Sequence, residues 1–183
     1  ALALVQQFQQ VKPADSWQVW RAVLHVESGQ IEQARQDVKS IHAATLSADY
    51  LAQLSYVYRR LEMPVEALQA AEASLAKQVT SNAQEQYVLA LMLNGDYPRA
   101  EAYVQAHQLN QSNLLFTVKL QQLSQKILNA VQFYQSSSYR NEGEKAFYPL
   151  DAVLAEMKAL SAELPEQADL QRRLYYEYID ALN

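Results

Sequence analysis

Cysteine, glycine and proline are scarce in this sequence of 183 residues, which contains none, three and five of them, respectively. The lack of cysteine excludes disulfide bonds and thiolate metal sites, but it leaves both cytosol and periplasm open as compartments. With so few glycines and prolines, the many tight turns of a sheet-rich fold would be hard to build. No apolar run approaches the roughly 20 residues that span a bilayer. These absences favour a helical fold without a membrane-spanning helix.

Catalytic and metal-binding motifs are also missing. The histidines His25, His42 and His107 are far apart, and none has the partner at i+4 that an HExxH metal site requires. The sequence has no G-x-S-x-G elbow, no P-loop and no G-x-G-x-x-G motif. We therefore predict no catalytic residue, no metal ligand and no cofactor, and we expect a binding protein rather than an enzyme.

Acidic side chains outnumber basic ones, 20 to 15, and the excess lies in the last quarter of the chain. Residues 1–141 carry 11 acidic and 11 basic side chains, whereas residues 142–183 carry 9 acidic and 4 basic ones. A net charge of −5 argues against nucleic-acid binding, which needs a clustered basic surface. The acidic end suits a cationic partner instead.

A motif of a turn followed by an alanine recurs at a constant interval, and its period of about 33 residues is typical of helical-repeat proteins. The motif occupies segments 29–34, 62–67 and 95–100, which end on Ala34, Ala67 and Ala100. One further step of the same length towards the N-terminus reaches Ala1. A turn ends the first helix of a hairpin, and a small residue in the first turn of the second helix lets the two backbones approach closely. The repeat therefore predicts stacked helical hairpins.

Apolar stripes at helical spacing flank each turn and predict an all-α fold. The predicted helices span about 1–11, 15–28, 31–44, 48–61, 64–78, 82–94, 97–108, 112–136, 146–163 and 166–182. The phase of the repeat is lost after Ala100, because the next helix is too long for a repeat unit and a polar loop follows it. We predict one domain over 1–183, made of regular repeats at 1–111, an irregular hairpin at 112–163 and a terminal helix at 166–182. Since the sequence starts without methionine and ends within a predicted helix, we expect a fragment of a longer protein.

Aromatic side chains are numerous, with 12 tyrosines and 2 tryptophans. Most are predicted to pack between helices. This set includes Trp17, Trp20, Tyr58, Tyr87 and Tyr97. Three further tyrosines at 175, 176 and 178 cannot all point one way on a helix, so at least one of them is predicted to be exposed, unless a following helix of the longer protein covers it.

The repeat length and the G-x-Y-x-x-A kernel at Gly95, Tyr97 and Ala100 resemble tetratricopeptide repeats (TPRs). A narrower resemblance in order and spacing runs from position 50 to position 182. Its segments are 50–61, 86–91, 100–103, Leu109, 120–123, 146–155 and 174–182. Together they resemble the periplasmic repeat domain of PgaA-type outer-membrane proteins, which export the biofilm polysaccharide poly-β-1,6-N-acetylglucosamine (PNAG). The irregular hairpin, whose polar loop precedes an Asp-Ala-Val-Leu-Ala segment, is the most telling part of this resemblance.

The resemblance implies a right-handed α-solenoid of TPR-like antiparallel hairpins that acts as a non-catalytic periplasmic scaffold. Such a domain recruits the polysaccharide deacetylase and guides the partly deacetylated, cationic polymer towards the outer-membrane pore. The membrane would then be reached only through a barrel domain that is not part of this sequence. The alternative is a generic TPR adaptor that docks a protein or peptide and has no carbohydrate role.

TPR arrays bind partners along the first helices of their hairpins, and the resemblance places four candidate groove residues there. These are Asp49, Tyr56, Arg59 and Glu85. The last quarter of the chain supplies six further candidates for contact with a partner or with the ammonium groups of the polymer. These are Glu156, Glu163, Asp169, Tyr176, Glu177 and Asp180. For both sets the alternative is an ordinary solvated helix face.

Overall fold

The computed structural model describes residues 15–109 and 114–136, together with residues 155 and 159. Within these residues every regular element is helical and no strand occurs, which confirms the predicted all-α class. The predicted helices at 1–11 and 166–182 lie outside the described residues, as does nearly all of the one at 146–163. By its internal contacts the chain divides into two compact units, 1–111 and 112–183. The prediction of one domain over 1–183 stays a prediction.

Three helical hairpins make up the described part of the first unit. Their helices are α1 (Asp15–Glu27), α2 (Ile31–Lys39), α3 (Ala48–Arg60), α4 (Pro64–Lys77), α5 (Ser81–Leu93) and α6 (Tyr97–Ala106). Contacts join α1 to α2, α3 to α4 and α5 to α6, and the first helices of successive hairpins also touch, α1 with α3 and α3 with α5. Five of these six helices match the predicted bounds within two residues at each end.

The predicted helix at 31–44 is wrong at its C-terminal end, because α2 stops at Lys39 and a 3₁₀ turn follows at Ala43–Thr45. The hydroxyl of Ser40 donates to the carbonyl of Asp37 at 2.9 Å, which satisfies a carbonyl of the last helical turn. Further on, the Thr45 hydroxyl donates to the Asp15 carboxylate at 2.5 Å. The Lys77 ammonium donates to the carbonyls of Ala44 and Leu46. These contacts from two other helices hold the connection out of the helical conformation.

The three hairpin turns have the same backbone geometry at equivalent positions of the repeat. Gly29, Glu62 and Gly95 all adopt positive φ, at 73°, 55° and 75°. Their N–H groups donate to the carbonyl three residues earlier, at 3.1, 3.2 and 3.0 Å, and the next N–H donates to the carbonyl five residues earlier, at 2.8, 2.9 and 3.0 Å. This pair of bonds is the Schellman motif, which ends a helix on a left-handed residue. The repeat therefore fixes where each first helix ends.

The alanines of the repeat are buried in the first turns of the second helices of the hairpins. Ala34, Ala67 and Ala100 are all 0% exposed. Near Ala67 the approach of α3 to α4 is directly visible, because the buried Ser55 hydroxyl donates to the Ala67 carbonyl at 2.8 Å. The short distance between α3 and α4 at Ala67 suits a small side chain such as the methyl group of alanine.

Replacing Glu62 with glycine is expected to stabilise the protein by about 0.5–1 kcal/mol, because a residue with a Cβ is strained at positive φ. Gly95→Ala at the equivalent turn should destabilise by a similar amount. A Cβ at Gly95 would meet nothing within 4 Å, so the loss isolates the backbone effect. Urea denaturation measures the stability of both variants. If Glu62→Gly were no more stable than the unmodified protein, backbone strain at Glu62 would be contradicted.

Two facing positions, one on each helix of a hairpin, are occupied by different kinds of residues in the three hairpins. The pairs are Arg21 with Asp37, Leu54 with Ala70, and Tyr87 with Tyr103. The tyrosine rings meet edge to face, with centroids 4.8 Å apart. The equivalent positions of the three hairpins therefore hold an ion pair, two buried aliphatic residues and an aromatic pair in turn.

Asp37 is a buried acid, only 6% exposed, that joins α1 to α2. Arg21 contributes Nη2 at 2.6 Å and Nε at 2.8 Å from the Oδ1 atom of Asp37. His25 places Nδ1 2.7 Å from Oδ2. Both carboxylate oxygens are therefore satisfied by α1.

In the second unit the structure describes one long helix, α7 (Leu114–Ser136), where the sequence predicts a helix at 112–136. Its buried apolar side chains include Leu114 and Val118, which are four residues apart, and Leu120 and Leu123, which are three residues apart. Residues at these two spacings are neighbours on a helix surface. Among the described residues, no helix is both long and apolar enough to span a bilayer.

Candidate functional site

The first helices of the three hairpins share a polar face that hydrogen bonds connect from one helix to the next. We call this surface the polar face. Its residues are Glu27 on α1, Tyr56, Arg59 and Arg60 on α3, and Glu85 and Gln86 on α5. Because α3 lies in contact with both α1 and α5, its side chains can reach both neighbours.

On the α1 side, the Tyr56 phenol donates a short hydrogen bond to the Glu27 carboxylate. Burial raises the pKa of Tyr56 above its ordinary value of 10.0, and the adjacent Glu27 raises it further, against the opposing charges of Arg60 and Arg59. The phenol is therefore a neutral donor near pH 7. This bond fixes the tyrosine ring over the junction of α1 and α3.

On the α5 side, Arg59 is held by an amide and an aromatic ring. Its Nε and Nη2 atoms donate to Oε1 of Gln86 at 3.2 and 2.9 Å, and its Cζ atom lies 5.7 Å from the centre of the Tyr56 ring. Gln86 is only 8% exposed, so this amide is a well-fixed acceptor. Burial lowers the pKa of Arg59, while Tyr56 and Glu85 act in the opposite direction. The guanidinium stays charged at neutral pH.

Of the four groove residues predicted from the resemblance, the structure brings three together. Tyr56 and Arg59 lie one helical turn apart and touch, and Glu85 acts on Arg59 electrostatically from α5. Asp49 is exposed in the first turn of α3, and within the described residues no hydrogen bond or ion pair reaches it. The six candidates in the last quarter lie outside the described residues. These are Glu156, Glu163, Asp169, Tyr176, Glu177 and Asp180.

Sequence reasoning missed Gln86, which aligns Arg59. Glutamine is common in this chain, and only the contact between α3 and α5 distinguishes Gln86 from exposed glutamines such as Gln69. The buried Arg21–Asp37–His25 cluster was also missed. In the described part of the chain, no three His, Cys, Asp or Glu side chains are grouped as metal ligands.

The two tryptophans differ from their prediction. Trp17 and Trp20 are 49% and 42% exposed on α1, so neither is buried between helices as predicted. Tyr87 is buried, as predicted, whereas Tyr58 and Tyr97 are half-buried.

Gln86→Leu is expected to lower the free energy of unfolding by about 1–2 kcal/mol, because it leaves two Arg59 donors without their acceptor. Because the Arg59 guanidinium is only half-buried, water can replace part of the lost hydrogen bonding, which keeps the loss of stability moderate. Gln69→Leu on the exposed side of α4 is the matched control and should change stability by less than about 0.5 kcal/mol. Equal effects of both substitutions in urea denaturation would contradict a structural role for Gln86.

Comparison with known proteins finds no family model that matches this chain and no curated protein that is similar to it.

Proposed function

We propose that this chain is a non-catalytic binding scaffold, in which TPR-like hairpins stack as a right-handed solenoid and dock a partner on the polar face. The contact of each first helix with the next supports stacking in this order. The single observation that carries the binding proposal is the row of side chains from Glu27 through Tyr56 and Arg59 to Gln86, joined by hydrogen bonds at both ends and by a cation–π contact in the middle. Such a row holds polar groups in fixed positions at a surface, which reduces the entropy that a partner must overcome on binding.

The more specific proposal is a periplasmic domain of a PNAG exporter, whose partners are the polysaccharide deacetylase and the partly deacetylated polymer. It is supported by the resemblance of segments 50–61, 86–91 and 146–155 to PgaA-type repeat domains. The polar face carries both signs of charge, which suits a protein partner. The acidic excess of residues 142–183 suits the ammonium groups of the polymer.

Binding measurements with the immobilised chain test this function. The analytes are the isolated periplasmic polysaccharide deacetylase, partly deacetylated glucosamine oligomers, fully acetylated oligomers and an unrelated amphipathic helical peptide. We expect the deacetylase to bind, and the partly deacetylated oligomers to bind weakly with affinity that falls as salt rises. Fully acetylated oligomers lack the ammonium groups and should bind less.

Variants then locate the partner. Tyr56→Ala should weaken deacetylase binding about tenfold or more if the polar face is used, since buried aromatic and arginine side chains dominate protein interfaces. Glu72→Gln on α4 is the control away from this face, and it should leave binding unchanged. Binding of neither deacetylase nor oligomer would overturn the specific proposal, and binding of the helical peptide alone would favour the generic adaptor.

A further inference from the structure

Arg59 differs from the arginines that pair with acids in this protein. Arg21 meets Asp37 at 2.6 Å, and Arg99 meets Glu72 at 3.1 Å. Within the described residues, no carboxylate lies at ion-pair distance from Arg59. Its hydrogen-bond partner is the neutral amide of Gln86, and its other close contact is the face of the Tyr56 ring.

This arrangement leaves a half-buried positive charge without an ionic partner. Removing a cation from water is unfavourable unless an opposite charge or several hydrogen bonds compensate for it. Arg59 lies in the last turn of α3, where the negative end of the helix dipole stabilises a positive charge. This stabilisation is modest at a half-buried site. Burial also lowers the pKa of Arg59, in line with incomplete compensation.

The geometry leaves N–H groups of Arg59 available. Both donors that have a partner among the described residues, Nε and Nη2, share the single Oε1 atom of Gln86. A guanidinium carries further donors in the same plane, arranged as a fork that matches a carboxylate. Gln86 and Tyr56 therefore fix the plane of the guanidinium without occupying all of it.

The charges around Arg59 are of both signs. Arg60 follows in the chain, is exposed and adds a second positive charge close enough to act on Arg59. The Glu27 carboxylate is engaged by the Tyr56 phenol. Glu85 attracts Arg59 from α5 but lies beyond ion-pair distance and remains exposed.

We propose that Arg59 is an anion-binding residue that takes a carboxylate from an acidic side chain of the bound partner, with Gln86 and Tyr56 as its positioning residues. The inference rests on the proposed function in one respect, namely that a partner docks on the polar face. It adds the chemistry of the contact: a planar carboxylate held by the guanidinium fork, with Arg60 beside it.

The test uses the whole chain and sodium acetate as the probe, with no partner present. Side-chain Nε–Hε signals of ¹⁵N-labelled protein are followed while acetate replaces chloride at constant ionic strength. The Arg59 signal should shift saturably, whereas the signals of Arg21 and Arg99 should stay in place because their carboxylate partners are already bound. Arg60→Gln should weaken the acetate response several-fold without abolishing it.

Two results would overturn the proposal. One is an Arg59 shift no larger than those of Arg21 and Arg99. The other is a stronger response to inorganic phosphate or sulfate than to acetate, which would indicate a tetrahedral anion instead. If the Arg59 signal does not shift with acetate while the deacetylase still binds, the carboxylate site is contradicted and the proposed function is not. If acetate binds at Arg59 and neither the deacetylase nor the polymer binds the chain, the proposed function is contradicted and the carboxylate site is not.

Discussion

Replacing Asp37 with alanine is expected to lower the free energy of unfolding by about 3 kcal/mol. The substitution leaves Arg21 with a buried charge and His25 with a ring nitrogen that has lost its partner. Removing one member of a buried ion pair costs about 3–5 kcal/mol, and the partial exposure of Arg21, 23% of its side chain, places this site at the lower end. Urea denaturation with a fitted midpoint and slope measures the change.

Two further variants separate the buried charge from a simple loss of contacts. Glu72→Ala breaks the exposed pair with Arg99 and should cost less than about 1 kcal/mol. The double variant Arg21→Leu with Asp37→Ala copies the aliphatic pair at the equivalent position of the second hairpin, Leu54 with Ala70. It should recover much of the stability lost in Asp37→Ala, because no buried charge is left unpaired. A double variant as unstable as the single one would show that the charge is not the cause.

Ala67→Leu is expected to destabilise the protein by about 3 kcal/mol, since overpacking a buried position costs about 1–3 kcal/mol or more. Ala67 is fully buried in the first turn of α4, and the Ser55 hydroxyl of α3 reaches its carbonyl at 2.8 Å. A leucine side chain would have to push α3 and α4 apart. Thermal and urea denaturation both report the loss.

The control for this prediction lies on the same helix. Ala76 is exposed near the C-terminal end of α4, so Ala76→Leu keeps the helix propensity and adds the same volume in solvent. It should change stability by less than about 0.5 kcal/mol. Comparable destabilisation by the two leucines would contradict the close approach of α3 and α4 at Ala67.

Much of the fold could be predicted because the repeat carries local chemistry. A left-handed residue at 29, 62 and 95 ends each first helix, and a small residue five positions later admits the second helix. Both signals are visible in residue type and spacing alone. Glu62 shows the limit of residue type, since it adopts the left-handed conformation without being glycine, and only the phase identifies it.

The end of α2 could not be predicted in the same way. Residues 40–44 continue an apolar pattern, but the chain leaves the helix because Asp15 and Lys77, which are distant in sequence, bind the connection that follows. Local propensity is weak compared with several tertiary hydrogen bonds. The hydrogen bonds that hold the connection therefore join residues that are distant in sequence, and a local pattern does not reveal them.

The site was predictable in part for a related reason. Tyr56 and Arg59 follow from helical spacing on one helix, so their contact is local. The Arg59–Gln86 bond joins residues 27 positions apart and depends on how α3 meets α5.

The Asp37 cluster did leave a signal in the sequence. Alignment of the first two hairpins on Ala34 and Ala67 places Arg21 and Asp37 on the positions of Leu54 and Ala70. Leu54 and Ala70 are core residues, 1% and 5% exposed. Charges of opposite sign at two core positions of a repeat indicate a buried ion pair, because an unpaired charge would be too costly there.

Mapping partner binding onto the backbone signals of the labelled chain tests the central claim most directly, namely that the first helices of the hairpins form a binding surface. On addition of the isolated polysaccharide deacetylase, we predict the largest shifts at Tyr56, Arg59 and Glu85, with smaller ones along α1. Residues on the outer side of the second helices, such as Glu32 and Gln69, should stay unchanged. Shifts confined to the second helices, or no shift anywhere, would contradict the account.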